Sequence, residues 1–187
     1  MSRLVLMGAA ISLAACATGS TSNAGASAAA DSKAAPAAGA NVPANLAVPA
    51  GQALSMTASA KGTQIYTCAK KEGAEAWDWS FTAPEADLFD ASGGKVGTHF
   101  AGPTWLAADG SKVVGAVKEK AASPDDSIPW LLLEAKANEG TGKLAAVKYI
   151  QRTETRGGKA PAGGCDAGHA GEKSAVPYTA TYLFYGP

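Results

Sequence analysis

The feature that most constrains the fold is the recurrence of turn residues between short segments of alternating apolar and polar side chains. From Val42 onward, Gly, Pro or Asp-Gly signals recur roughly every 8–12 residues. The segment "WDWSF" (residues 77–81) alternates strictly, as a half-buried strand does. Asp109-Gly110 lies between two apolar runs, which is the strongest short-range signal for a hairpin. The pattern predicts an all-β domain, a single sandwich or barrel-like domain of roughly nine to ten short, mainly antiparallel strands.

Four further segments contribute to this strand count. The segment "ADLFD" (86–90) leads through a Gly-rich turn into "KVGTHF" (95–100), which predicts a strand, a turn and a strand. The segment "IPWLLLEAKA" (128–137) contains good helix formers. We predict a strand there because the segment after the next Gly-rich turn is β-like. The last segment, "VPYTATYLFYG" (176–186), is rich in Thr and aromatic residues, as strands are.

The first 15 residues have the features of an export signal. Arg3 precedes the apolar run Leu4–Leu13, which is shorter than the roughly 20 residues of a membrane-spanning helix. The tetrapeptide "LAAC", ending at Cys16, resembles a bacterial lipoprotein signal. That resemblance implies cleavage before Cys16, attachment of a diacylglycerol to its sulfur, and a lipid-anchored protein of the cell envelope. Because Ala17 rather than Asp follows, it also implies an outer-membrane protein facing the periplasm in a Gram-negative cell. The alternative is an ordinary signal peptide cut in the same region.

Composition divides the rest of the chain into a tether and one domain. Residues 16–41 are rich in Ala, Ser and Gly, so they bury too little apolar surface to fold alone. Residues 42–187 are enough for a single domain with a full core. The chain has 16 Lys and Arg against 16 Asp and Glu, with no basic stripe, so nucleic acid is not an expected partner.

The three cysteines of the chain fit an exported protein. If Cys16 accepts the lipid, Cys68 and Cys165 are left to pair in an oxidising compartment. A bridge between them would contribute roughly 4–5 kcal/mol in the loop-entropy model. The alternative is two unpaired buried thiols. No metal site is predicted, because neither cysteine has a CxxC neighbour or a nearby pair of histidines.

Seven motifs in order resemble the DUF3455 family over nearly the whole domain, from about Val42 to Tyr185. They are "GTQIYTC", "PEADLFD", "VGTHFAGPTW", "DGSKVVG", "IPWLLLEA", "YIQRTETRGGKAP" and "VPYTATYLFY". The resemblance implies an exported protein and supports the domain boundaries and the all-β prediction. It implies no activity, because the family has none established. No cofactor is expected, since the chain lacks a GxGxxG after a strand and any strand–helix alternation.

His99 is the leading candidate for a functional residue. It lies in "VGTHFAGPTW" (96–105), where Gly102-Pro103 predicts a turn that could hold His99 and Trp105 together as one lip of a cleft. Imidazole suits acid–base chemistry near neutral pH, but no nucleophile motif accompanies it. Three roles remain open for His99: a catalytic base, a ligand contact, or a donor to a backbone carbonyl beside the turn.

Four other residues complete the tentative ligand-binding set, although core packing is the alternative for both tryptophans. Trp105 and Trp130 are expected to line a cleft between loops together with His99. Gln64 shares a strand face with Tyr66. Arg152 follows Ile150 on a face expected to be buried, where an unpaired charge is costly. We therefore expect an ion pair of Arg152 with Glu85, Asp87 or Asp90, or a contact with an anionic ligand.

These observations favour a noncatalytic envelope lipoprotein whose β domain binds a small molecule, a glycan or a protein. Its other expected partner is the membrane, through the N-terminal lipid. Two alternatives are kept: an envelope hydrolase that uses His99 as acid or base, and a purely structural envelope protein. Whether the protein is an enzyme is therefore left open, with the balance against it.

Overall fold

The computed structural model describes residues 42–187, which form one closed antiparallel barrel. The strands follow one another in chain order around the barrel, and the last strand pairs with the first. The eight strands are β1 (Ala53–Lys70), β2 (Trp77–Phe89), β3 (Lys95–Phe100), β4 (Thr104–Ala107), β5 (Lys112–Ala121), β6 (Trp130–Glu139), β7 (Tyr149–Gly157) and β8 (Lys173–Gly186). The prediction of an all-β, mainly antiparallel domain is confirmed, and the barrel is the correct one of the two architectures.

The described chain has eight strands, fewer than the roughly nine to ten short strands predicted, and three of them, β1, β2 and β8, are long. Residues 77–81 and 86–90 were predicted as separate strands, yet β2 runs through both from Trp77 to Phe89. Pro84 permits this continuity because β3 pairs only with Ala86–Phe89 of β2. Pro84 therefore lies where β2 has a neighbour on one side only, the position at which a strand tolerates proline.

The ambiguous segment of residues 128–137 is a strand, as predicted, and β6 begins at Trp130. Leu131 and Leu133 face the interior of the barrel, whereas Trp130 and Leu132 pack on its outer side. Because both faces of this stretch are buried, its sequence shows a continuous apolar run instead of alternation.

The outer side of β6 is covered by the chain that precedes the barrel. The short 3-10 helix Ala44–Leu46 places Leu46 against Trp130 and Leu132. The buried Gln151 side chain donates a hydrogen bond of 2.6 Å from Nε2 to the Leu46 carbonyl oxygen. The polar bond and the apolar contacts together fix this segment to the barrel wall.

The disulfide between Cys68 and Cys165 is present, as predicted. It joins the end of β1 to the loop that precedes β8. Backbone hydrogen bonds from Cys68 to Glu172 and from Gly171 to Cys68 hold the same loop, and the Trp79 indole donates to the Gly163 carbonyl at 2.8 Å. The loop is thereby fixed to the ends of β1 and β2 that project beyond β3.

Glycine is required in β1 where neighbouring strands approach closely. A Cβ atom at Gly62 would lie 2.0 Å from the carbonyl oxygen of Glu85 and 2.5 Å from the Cα of Ala86. Such a glycine inside a strand marks a point of tight strand contact in a closed barrel.

Several predictions concern residues outside the described part of the chain. The signal peptide (1–15), the lipid acceptor Cys16 and the tether (16–41) all lie in the segment before Val42. No helix among residues 42–187 combines the length and the apolar character needed to cross a membrane.

We expect a Cys68→Ala/Cys165→Ala double variant to lose about 2–5 kcal/mol in the free energy of unfolding, because the bridge restricts the unfolded chain. Urea unfolding of the wild-type protein and the variant, with and without a reducing agent, measures this difference. Reduction should bring the wild-type protein to the midpoint of the variant and leave the variant unchanged. Equal midpoints of the oxidised wild-type protein and the variant would contradict the expectation.

Candidate ligand-binding site

A cavity of about 420 Å³ lies at one end of the barrel, and all eight strands contribute to its wall. The long strands β1 and β2 form one side through Gln64, Tyr66 and Phe81. The β3–β4 turn forms another side through His99 and Trp105. β3 pairs with β2 only from Ala86 to Phe89, and the cavity lies beside the part of β2 before Ala86.

Aromatic rings form the floor of the cavity. The His99 ring stacks on the Trp105 indole, with centroids 4.4 Å apart and planes at 12°. Tyr182 packs edge-on against both, with centroid distances of 5.0 Å to His99 and 5.4 Å to Trp105. Gly115 gives the indole its space, because a Cβ there would lie 3.0 Å from Trp105 Cζ3.

The predicted turn between His99 and Trp105 is present and explains their contact. Gly102 has a φ of +111°, which favours glycine, and Pro103 follows it. The turn pairs His99 directly with Trp105 across β3 and β4. It also brings the Thr104 carbonyl oxygen to 2.9 Å from His99 Nδ1, which donates to it. His99 therefore has the backbone contact that was one of its three expected roles, and it lines the cavity as well.

His99 is uncharged at neutral pH. Its side chain is 3% exposed. Burial lowers the pKa of His99 from 6.5 to about 4, the Thr104 hydrogen bond opposes this shift, and the nearby Arg152 charge adds to it. Since Nδ1 carries the donated proton, Nε2 is the unprotonated nitrogen. Within residues 42–187, Nε2 has no hydrogen-bond partner.

Arg152 also lines the cavity, but the predicted ion pair is wrong. Its Nε and Nη2 donate to the Pro129 carbonyl oxygen at 3.1 and 2.9 Å. No carboxylate of the described chain lies within 4.0 Å of it, because Asp87 pairs with Lys95 and Asp90 binds the turn that follows it. The guanidinium thus has a fixed anchor and no counter-charge.

Two buried donors in the same wall have no hydrogen-bond partner in the described structure. They are Gln64 Nε2 and Trp105 Nε1, whose side chains are 2% and 1% exposed. An unpaired buried donor costs about 1–3 kcal/mol. The wall therefore contains unmet hydrogen-bonding capacity.

Trp130 does not belong to this site, contrary to expectation. Its side chain packs on the outer face of β6 against Leu46 and Leu132. Leu131 and Leu133 point to the opposite face of β6 and line the cavity instead. The structure therefore brings together His99, Trp105, Gln64 and Arg152, and places Trp130 elsewhere.

Sequence reasoning missed several members of the wall. Tyr66 could have been found because it shares a strand face with Gln64, and Tyr182 because it shares parity with Phe184. Phe81 has no such signal, since its position depends on a register shift between β1 and β2 after Ile65.

The wall offers little for acid–base chemistry or metal binding. Apart from tyrosines, its only hydroxyl group belongs to Thr82, and it contains no carboxylate. In the part of the chain that the structure describes, no cluster of three or more His, Cys, Asp or Glu side chains could hold a metal ion.

A family described as a protein of unknown function, DUF3455, matches residues 49–186, which include all eight strands. No curated protein and no solved structure matches the chain.

We expect the buried, neutral His99 to make stability fall with acid. Unfolded His99 takes up a proton near pH 6.5, whereas the folded protein resists protonation down to about pH 4. The folded pKa is the lower one, so this contribution is complete above pH 6.5 and is lost as pH falls to 4. Its size is about 3 kcal/mol. Urea unfolding between pH 7 and pH 4 should show a steeper loss for the wild-type protein than for His99→Gln.

The other histidine of the chain provides the control. Asp166 accepts a hydrogen bond from His169 and raises its pKa, so the contribution of His169 is present at low pH and fades as pH rises. The difference between the wild-type protein and His169→Gln should therefore run in the opposite direction. Identical pH slopes for the wild-type protein and His99→Gln would contradict the assignment.

Proposed function

The chain belongs to the DUF3455 family, whose description assigns no function, and we propose that it is a noncatalytic binding module that holds a small molecule at the open end of its barrel. One observation carries the proposal: a cavity of about 420 Å³ with a largely apolar and aromatic wall. Ligand pockets in proteins typically have volumes of about 300–1,000 Å³ and a few polar groups among apolar ones. Eight-stranded barrels can hold one small ligand in this way.

The character of the wall supports a small molecule over a glycan or a protein. Leu131, Leu133 and Ile128 present hydrocarbon, and four aromatic residues, Tyr66, Phe81, Trp105 and Tyr182, add ring faces and edges. At roughly 30 Å³ for each water-sized group, the cavity has room for about a dozen non-hydrogen atoms.

Catalysis has less support than binding. A general base works best when its pKa lies near the operating pH, whereas burial lowers the pKa of His99 to about 4. The one nitrogen of His99 that could accept a proton faces no carboxylate or serine among the residues of the wall. The hydrolase alternative therefore lacks a carboxylate to orient His99, and the hydroxyl groups of the wall belong only to Thr82 and the tyrosines.

We further propose that the barrel works in the cell envelope, exported and lipid-anchored through Cys16, and that it faces the periplasm from the outer membrane in a Gram-negative cell. The "LAAC" sequence behind an apolar run supports this. The disulfide between Cys68 and Cys165 is consistent with an oxidising compartment.

A blocked cavity tests the binding proposal. Val117 lines the cavity and is 54% exposed, so a Val117→Trp change should fill space with little effect on the core. We expect some members of a panel of alcohols, carboxylates and amines of about a dozen non-hydrogen atoms to raise the melting temperature of the wild-type protein. With Val117→Trp, at least about fivefold more ligand should be needed for the same shift, because the indole fills the space that the ligand would occupy.

The matched control is Leu54→Trp, because Leu54 is similarly exposed but lies near the start of β1, far along the strand from Gln64. It should bind the panel as the wild-type protein does. A panel that shifts no melting temperature, or equal effects of the two substitutions, would contradict the proposal.

Labelling with a radioactive fatty acid tests the anchor. Cells that make the wild-type protein should label it, and Cys16→Ser should abolish the label because the acceptor sulfur is lost. The Cys68→Ala/Cys165→Ala variant should still be labelled, which shows that the loss is specific to Cys16. A labelled, membrane-bound Cys16→Ser protein would overturn this part of the proposal.

A further inference from the structure

The cavity contains one formal charge, and it is positive. Arg152 is the only ionised side chain of the wall, since His99 is held neutral by burial and no Asp, Glu or Lys lines the cavity. Its guanidinium donates to the Pro129 carbonyl oxygen and also lies beside the Tyr182 hydroxyl, and no carboxylate of the described residues pairs with it.

The charge of Arg152 acts on the interior of the barrel. Burial raises the pKa of Tyr66, Tyr178 and Tyr182, and Arg152 opposes that rise in each case. Three buried phenol groups and one imidazole therefore all experience this one cation, and none of them supplies a negative charge at neutral pH. Arg152 is half-buried, so one side of its charge lies against the apolar wall without a counter-charge, and an anion that enters the cavity would supply one.

The position of the Arg152 guanidinium is fixed before any ligand binds. The fork on the Pro129 carbonyl oxygen fixes Nε and Nη2, so less side-chain freedom is lost when a ligand arrives. Guanidinium groups bind carboxylates through paired, charge-assisted hydrogen bonds. The unpartnered Gln64 amide offers a further donor in the same wall.

We infer that the cavity takes a singly charged organic anion, a monocarboxylate whose aliphatic or aromatic body lies on the aromatic floor and whose carboxylate binds Arg152. This inference rests on the proposed function and adds the chemical class of the ligand. One cation favours one negative charge, because a second carboxylate would find no positive partner in this wall. The body is apolar because Leu131, Leu133 and Trp105 surround the remaining space.

Equilibrium binding of matched compounds tests the inference on the full domain. Decanoate, decan-1-ol and the dicarboxylate decanedioate share one chain length and differ in charge. We expect the wild-type protein to bind decanoate at least about tenfold more tightly than the alcohol, as a hydrogen-bonded charge pair implies. Decanedioate should bind more weakly than decanoate. Arg152→Gln should remove the preference for the acid and leave the affinity for the alcohol nearly unchanged.

Arg156→Gln is the matched control. Arg156 lies on the same strand, but it pairs with Asp125 on the surface and does not line this cavity. This variant should keep the wild-type preference for decanoate. Arg152→Lys retains the charge without the fork, so it should keep a reduced preference, which tests the inference even if Arg152→Gln fails to fold.

The outcomes separate the two proposals. If decan-1-ol binds the wild-type protein as tightly as decanoate does, the inference is wrong and the binding function stands. If decanedioate binds best, or if Arg152→Gln keeps the preference for the acid, the assignment to Arg152 and to a single charge is wrong. If no compound of the wider panel binds, the proposed function fails together with the inference.

Discussion

The pairing of β1 with β8 is the constraint on which the rest of the structure depends. It closes the sheet into a barrel over a ladder that runs from Ala53 to Thr67 of β1. Closure removes the exposed edges of the sheet and creates an interior that side chains must fill. Because β3 and β4 are much shorter than β1 and β2, the interior is filled at one end and left open at the other.

The open end combines two opposing physical requirements. Burial of His99, Trp105 and Tyr182 stabilises the barrel through apolar and aromatic contacts. Arg152 introduces a charge beside the same rings, where the absence of a counter-charge in the described wall is unfavourable. The fork on the Pro129 carbonyl oxygen gives the half-buried Arg152 a structural role, and the proposed ligand would supply the counter-charge that the described wall lacks.

Much of the fold could be predicted because alternation and turn residues are local signals. The turn at Gly102-Pro103 placed His99 beside Trp105, and the parity of β1 placed Gln64 beside Tyr66. Trp130 was expected to line a cleft with His99, but it packs on the outer face of β6, and the run from Trp130 to Leu133 is apolar throughout and does not show which side faces inward. The strand count was too high because residues 77–81 and 86–90 were predicted as two strands, and the sequence does not show that β2 continues through Pro84 beside a shorter neighbour.

The partner of Arg152 could not be predicted, because strand order and register decide which carboxylates lie near it. Glu85, Asp87 and Asp90 were reasonable candidates by charge alone. In the barrel, β7 pairs with β6 and β8, whereas all three acidic residues lie in or just after β2. The contact of Arg152 with an anionic ligand stays a prediction.

A two-dimensional amide and indole NMR titration with decanoate would test the central claim most directly, because it reports where the ligand lies. The Trp105 indole N–H and the Arg152 Nε–H belong to cavity-lining residues, whereas the Trp130 indole lies on the outer face of β6. Binding in the cavity predicts that the Trp105 and Arg152 signals move together and saturate while the Trp130 signal stays in place. Movement of the Trp130 signal without the other two, or no saturable shift at Arg152, would contradict the account.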